Sequence, residues 1–213
     1  VTYSPTAAEV KELRDATGAG MMDCKRALAE SEGDLDRATE LLREQGLASV
    51  AKRAGRSANQ GLVDAYVHFN NTVGVLVEVN CETDFVANTD DFRTLVKDIA
   101  LHIASPSAPR FLTRDEVPTA ELDDVRRIAE VQAQQAGKPE NVIEKIVEGK
   151  INAHLADIVL LEQPFVRDDS KTVQQLLDEI SAKVGERIAI RRFARFRLGE
   201  DAEDDEAQGG EGS

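Results

Sequence analysis

Val73-Gly74-Val75-Leu76-Val77-Glu78-Val79 is the stretch that leaves this chain the least freedom. Valine at every second position puts four branched side chains on one face of an extended strand, so the backbone here is held in a sheet. Asn80-Cys81-Glu82-Thr83-Asp84-Phe85-Val86-Ala87-Asn88 follows, and in it the strand must give way to a helix. Thr83 or Asp84 can cap that helix, leaving Phe85 in its first turn. Phe85 then has two readings: a staple folded back on the core beside the cap, or an exposed wedge for a partner.

Residues 6 to about 55 read as three short helices. Val10, Leu13 and Ala16 or Thr17 form the first apolar stripe, Met21, Cys24 and Leu28 the second, and Leu35, Ala38, Leu41 and Leu42 the third. Gly18-Ala19-Gly20 separates the first two, and Gly33-Asp34 stops the second and caps the third. A module of this size buries little surface and is marginal alone. Lys52 to Asn59 is basic, polar and glycine-containing, and the link to a larger domain is placed at residues 56–60.

The core begins at Gly61. Leu62–Phe69 and Thr72–Cys81 are expected as two strands around an Asn70-Asn71 turn, because asparagine tolerates positive φ. Residues 88–105 read as a helix with Phe92, Leu95, Val96, Ile99 and Ile103 on one face, packed on the valine side of the hairpin and ended by Pro106 and Pro109. Residues 119–137 and 139–161 read as two long helices broken at Gly137-Lys138-Pro139, the second with Ile143, Ile146, Val147, Ile151 and Leu155 as its seam. A helix over 172–184 leads into a last strand over 187–198. There Ile188, Ile190, Ala194, Phe196 and Leu198 are expected inward, and Arg187, Arg191, Arg195 and Arg197 outward.

Composition narrows the class of protein. With 213 residues, 41% hydrophobic and 31% charged, the chain can build one sizeable core plus a small module, and nothing in it is fibrous. Two cysteines without a close-spaced partner, no signal-like apolar stretch and no run near the length of a bilayer span predict a reducing interior, the cytoplasm. The net charge is −14, and half of it comes from residues 200–213, which hold seven acids and no Lys or Arg. That tail is expected to be disordered and solubilising. The body remains acidic and repels a polyanion, so nucleic acid is not an expected partner.

Two distant segments complete the reading. Val10-Lys11-Glu12-Leu13-Arg14-Asp15-Ala16-Thr17-Gly18-Ala19-Gly20-Met21-Met22-Asp23-Cys24-Lys25-Arg26-Ala27-Leu28, taken with Thr83-Asp84-Phe85-Val86, closely resembles the elongation factor Ts family, the guanine-nucleotide exchange factors of bacterial and organellar elongation factor Tu. Gly137-Lys138-Pro139-Glu140, Val147-Glu148-Gly149-Lys150 and Glu162-Gln163-Pro164-Phe165-Val166 extend the resemblance, which spans roughly residues 6 to 198.

The resemblance implies an α+β fold. An N-terminal three-helix module of ubiquitin-associated (UBA-like) type, over 1–55, would precede a core and dimerisation domain over 61–199. That core would hold a three-stranded antiparallel sheet, packed helices and a helical hairpin, the arm, at about 119–161. Only one strand-strand-helix unit is visible, whereas longer family members carry two, so a homodimer is expected to supply the missing surface. The family assigns displacement of the partner's Mg²⁺ site to Thr83, Asp84, Phe85 and Val86. Partner contacts fall on Leu13, Arg14, Met21, Met22 and Lys25, with Lys52 and His102 matching further contact positions. By periodicity Leu13 and Met21 are core, which leaves Met22 beside Lys25 as the surface patch. His102 flanks its helix's apolar stripe, as either a packed histidine or a contact.

Enzyme chemistry has little to stand on, and no cofactor or metal is expected. Cys24 and Cys81 sit among apolar neighbours with no nearby histidine, and His68, His102 and His154 lack metal spacing. Gly18-Ala19-Gly20 lacks the ending of a phosphate loop, so the GTPase is the partner. The rival is an RNA-binding or ubiquitin-associated-type adaptor without exchange activity, using the strand Arg191-Arg192-Phe193-Ala194-Arg195-Phe196-Arg197 or the helical module. Alternation would make Phe196 a core residue and leave Phe193 nearly alone among arginines, against that rival.

Overall fold

The structure is a computed structural model that describes residues 3–200; the acidic stretch beyond Glu200, expected as a disordered tail, lies outside the described residues. The chain divides into two compact units, the first Val1–Leu62, Val79–Leu95 and Gln174–Ala189, the second Val63–Glu78, Val96–Val173 and Ile190–Ser213.

In the first unit, α1 (Ala7–Thr17), α2 (Met21–Glu30) and α3 (Leu35–Arg53) form the N-terminal helical region. Thr6 and Glu9 make a reciprocal capping box that satisfies two backbone donors at the start of α1. Gly18 ends it at φ 68°, a conformation a side chain resists, with its N–H on the Arg14 carbonyl at 2.7 Å. The Asp34 carboxylate accepts from the Arg37 N–H at 2.9 Å and starts α3. Val10, Leu13, Cys24, Ala27, Leu28, Ala38 and Leu42 close a small core, with Ala19, Leu35 and Leu41 against it.

Two expectations fail in this region. Met21 is 51% exposed, because it opens α2 and the core layer at that end is supplied by Ala19. The third helix is not short: α3 runs 19 residues through Gly46, where a Cβ would stand 3.3 Å from the Cβ of Ala182. Ala182 belongs to α8 (Val173–Val184), and the contact shows how closely α3 packs on it.

Three strands pair in the order β1 (Gln60–Val67), β2 (Val73–Cys81), β5 (Ala189–Arg197). The His68 N–H donates to the Val73 carbonyl at 2.9 Å, and Asn71 takes φ 56°, as the turn requires. The Leu198 N–H donates to the Thr72 carbonyl at 2.9 Å, so the end of β5 lies beside the start of β2 and the small sheet is antiparallel. Val73, Val75, Val77 and Val79 are all buried, as alternation demands. After α4 (Asp84–Ala87) comes α5 (Asp90–Ile103), with Phe92, Leu95, Val96, Ile99 and Ile103 buried.

β5 does not keep the expected alternation. Ile188 and Ile190 are buried, Arg191 and Arg192 are both exposed, and Phe196 and Leu198 are exposed while the Arg195 side chain is only 9% exposed. Past the arginine pair burial therefore no longer follows the even positions: Phe193, Ala194 and Arg195 are all half-buried and Arg197 is exposed, as where a one-residue bulge shifts the phase.

The second unit carries α6 (Thr119–Gln135) and α7 (Glu140–Ile158), packed on each other across a turn at Gly137, φ 65°. Ala129, Ala133, Val147 and Leu155 are buried along the seam, with Ile143, Ile146 and Ile151 half-buried. A two-stranded antiparallel ribbon, β3 (Pro164–Phe165) with β4 (Asp168–Thr172), is a feature the sequence reading lacked. Its second strand reads Asp-Asp-Ser-Lys-Thr, with no apolar alternation to find.

Candidate functional site

β2 ends where the side chain of Thr83 takes over. Thr83 is extended at φ −127° and ψ 156°, and its Oγ1 accepts from the Val86 N–H at 3.4 Å. The cap is Thr83, not Asp84. The single turn α4 closes with the Asn88 N–H on the Asp84 carbonyl at 3.1 Å and the Asn88 side-chain amide on the same oxygen at 2.9 Å. Val86 and Ala87 are buried and anchor the turn, which turns its other side outward: Asp84 is exposed and Phe85 is 82% exposed. The staple reading of Phe85 is thereby excluded, since its two successors occupy the core positions it would have needed.

Two glutamates hold the turn from outside. One Glu186 oxygen accepts from the Glu82 N–H at 3.1 Å and the Thr83 N–H at 3.0 Å, and the other accepts from the Thr83 hydroxyl at 2.6 Å. Glu82 returns the arrangement, accepting from the Arg187 N–H at 2.7 Å and pairing with Arg56. The Arg187 N–H and the nearby Arg56 charge stabilise the ionised Glu82 carboxylate and keep its pKa below the usual range. Ser181 donates to the Glu186 carbonyl at 2.6 Å, fixing the loop that carries Glu186. Neither glutamate was singled out from the sequence. Glu82 merely precedes the motif, and Glu186 lies 103 positions from Thr83 in an unremarkable Gly-Glu-Arg.

Cys81 is no nucleophile. Burial first, then the charge of Glu186, push its thiol up to about 11, and its sulfur lies 3.1 Å from the Thr83 carbonyl. Burial also raises Cys24. Among the described residues no group of three or more His, Cys, Asp or Glu could hold a metal ion, and no helix is long and apolar enough to cross a membrane.

The remaining site residues divide by exposure. Leu13 is buried in the helical core, whereas Arg14, Met21, Met22, Lys25 and Lys52 are exposed, with Met22 at 72%. These residues and the Thr83–Val86 turn all fall in the first unit, and His102 falls in the second. His102 is fully buried, its Nδ1 accepting from the Val166 N–H at 3.1 Å and its Nε2 meeting the Gln163 side-chain oxygen at 2.9 Å. Both ring nitrogens are thus engaged within the protein. On β5 the exposed Phe196 overturns the expectation that it is core, but the arginines around it are not arrayed for phosphate. Arg192 pairs with Glu78 at 2.8 Å and Arg195 with Glu200 at 2.6 Å.

Comparison with known proteins gives one consistent answer. Residues 32–200 match the family model described as elongation factor TS. The chain is 56% identical over 198 residues to elongation factor Ts of Thermoanaerobacter sp. (strain X514), covering 93% of this chain and 97% of that protein. It is 54% identical over 204 residues to elongation factor Ts of Geobacter sulfurreducens, covering 96% and 94%. Against elongation factor Ts of Acetivibrio thermocellus it is 56% identical over 195 residues, covering 92% and 90%.

Proposed function

This chain belongs to the elongation factor Ts family, and from that premise we propose that the Thr83–Val86 turn is the element through which it opens the magnesium site of its partner. The family's activity is nucleotide exchange on elongation factor Tu, without covalent chemistry. An exchange factor works by binding the nucleotide-free partner more tightly than the nucleotide-bound one, and linkage makes that preference reciprocal. Phe85 is the wedge: a rigid aromatic on an anchored turn enters between partner helices and moves the loop that holds Mg²⁺ and phosphate. Asp84 supplies a charge beside it, and Val86 and Thr83 set the angle. Once Mg²⁺ leaves, the diphosphate loses the ion that neutralises it, and GDP departs.

The observation that carries this reading is an 82% exposed phenylalanine on a turn fixed by the Thr83 cap and by burial of Val86 and Ala87. Release of a fluorescent GDP analogue from elongation factor Tu in Mg²⁺ tests it. The parent chain accelerates release and a folded Phe85→Ala chain does not; acceleration by both removes the wedge.

The helical region over 1–55, UBA-like in its three-helix pattern, is the docking module, joined through 56–60 to the core over 61–199. Arg14, Met22 and Lys25 contact the partner, with Met21, which is exposed, added to the patch. Lys52 lies on exposed surface in the last turn of α3 and serves the same contact. Leu13 supports the patch from beneath, and His102 acts indirectly by holding the backbone at Val166. The working form is a homodimer in the cytoplasm. Its support is the outward side of the sheet, opposite the buried valines, where Val63, Val67, Leu76 and Phe196 are exposed, with Phe69 in the hairpin turn and Leu198 just past β5 exposed as well. Such a surface is self-complementary when two copies meet across a two-fold axis. The arm over 119–161 keeps its own seam and is not needed for that contact.

A further inference from the structure

The turn that bears Phe85 has no rigidity of its own. Four residues of helix fix little, since a first turn costs more conformational freedom than its one or two hydrogen bonds return. Burial of Val86 and Ala87 anchors the turn's far side, but the approach from β2 runs through Glu82 and Thr83, which are only half-buried. On that approach the two successive backbone N–H groups and the Thr83 hydroxyl all donate to one carboxylate, Glu186. The same hydroxyl oxygen receives the Val86 N–H as the helix cap. Because a hydroxyl has one proton and two lone pairs, donating to Glu186 aims its lone pairs at the helix.

We propose that Glu186 is a positioning residue for exchange: it orients Thr83 and, through the cap, fixes the direction in which Phe85 leaves the surface. This rests on the reading of Phe85 as the wedge. Glu82 completes a reciprocal clasp by accepting from the Arg187 N–H, so each glutamate holds the backbone beside the other. Hydrogen bonds to an ionised carboxylate are stronger than neutral ones, and three converge here on one side chain, two from N–H groups and one from a hydroxyl. The Ser181 hydroxyl on the Glu186 carbonyl ties that side chain's own backbone to α8. Without Glu186 the turn still forms on its buried residues, but its orientation is no longer single, and partner binding must supply the ordering.

The test is GDP-analogue release from elongation factor Tu by the full chain and by its Glu186→Ala, Glu186→Gln, Phe85→Ala and doubly substituted forms, each checked for folding by circular dichroism. Glu186→Ala is expected to lower the maximal exchange rate about tenfold to a hundredfold, as misplacement of a working group does. The concentration for half-maximal effect should change by no more than about threefold, because the docking patch is untouched. Glu186→Gln, which keeps one oxygen for the two N–H groups and offers an N–H to Thr83, restores most of the rate. Adding Glu186→Ala to Phe85→Ala costs little more, since both act through one side chain.

A folded Glu186→Ala chain at the parental rate, with Phe85→Ala slow, overturns the positioning role and leaves the wedge intact. Phe85→Ala at the parental rate instead overturns the wedge. Glu186→Gln as slow as Glu186→Ala overturns positioning by these hydrogen bonds. Should Glu186→Ala fail to fold, Glu186→Asp decides, because its carboxylate is withdrawn by one methylene: slowed exchange supports the proposal and a parental rate overturns it.

Discussion

Phe85 gives the folded chain almost nothing, and under the proposed wedge role it serves binding instead, which is the opposite of a core aromatic. Truncation to alanine removes a side chain that is 82% exposed, so stability should move by no more than about 0.5 kcal/mol. Exchange should fall by about thirtyfold or more, the scale on which an aromatic anchor at an interface acts. Urea denaturation and GDP-analogue release on one preparation separate the two effects, and a loss of several kcal/mol would restore the staple. His102 makes the converse case. Burial pushes its pKa below the ordinary range, against the Gln163 hydrogen bond. Its neutral form is the one that accepts from the Val166 N–H. The unfolded chain takes up a proton near pH 6.5 and the native one only at lower pH. The stability contributed is therefore full above about pH 6.5 and is lost as pH falls from there through the folded value, at no more than about 1.4 kcal/mol per pH unit. Urea midpoints at pH 7.5 and 5.5 should differ less for His102→Gln than for the parent, and equal differences would refute the assignment.

At the scale of elements, the backbones of β1 and β2 leave no room for a side chain where Gly61 sits. Its φ is +146°, and a Cβ there would stand 2.1 Å from the Val79 carbonyl oxygen, so Gly61→Ala meets both backbone strain and a clash with backbone that cannot yield. A destabilisation of at least about 2 kcal/mol is expected by thermal or urea unfolding, and a near-neutral result would mean that the strand entry can rearrange. How much of the elements was legible follows from how each is encoded. The valine face of β2, the stripe of α5 and the break at Gly137 are local patterns, and they appear where periodicity places them. β4 has no pattern, because its Asp-Asp-Ser-Lys-Thr offers no apolar alternation. On β5, Arg191 and Arg197 are exposed as expected, but Arg195, Phe196 and Leu198 are not where period two places them, because that reading assumes an unbroken phase and nothing in Arg191-Arg192 announces a slip. Glu186 was invisible for another reason: two of its three donors are backbone N–H groups, which every residue has, and the third, the Thr83 hydroxyl, lies 103 positions away.

Across the whole molecule, the fold class and the family were readable because long motifs carry them, whereas exposure of the outward sheet side depended on tertiary context. Sedimentation of the parent should give twice the chain mass, and Phe69→Glu should give single chains, because a charge on a self-complementary surface is repeated across the axis. Single chains from the parent would sink the dimer. The slip in β5 has a consequence for how this surface can change. A strand whose two halves run out of step reads its C-terminal half correctly only while one supernumerary residue stays in place. Deleting Arg192 would not shorten the sheet so much as invert its second half, sending Phe196 and Leu198 inward and Arg195 out. In the proposed dimer, assembly and interior would thus both turn on the parity of a single position, so a lost codon there would do what no single substitution could.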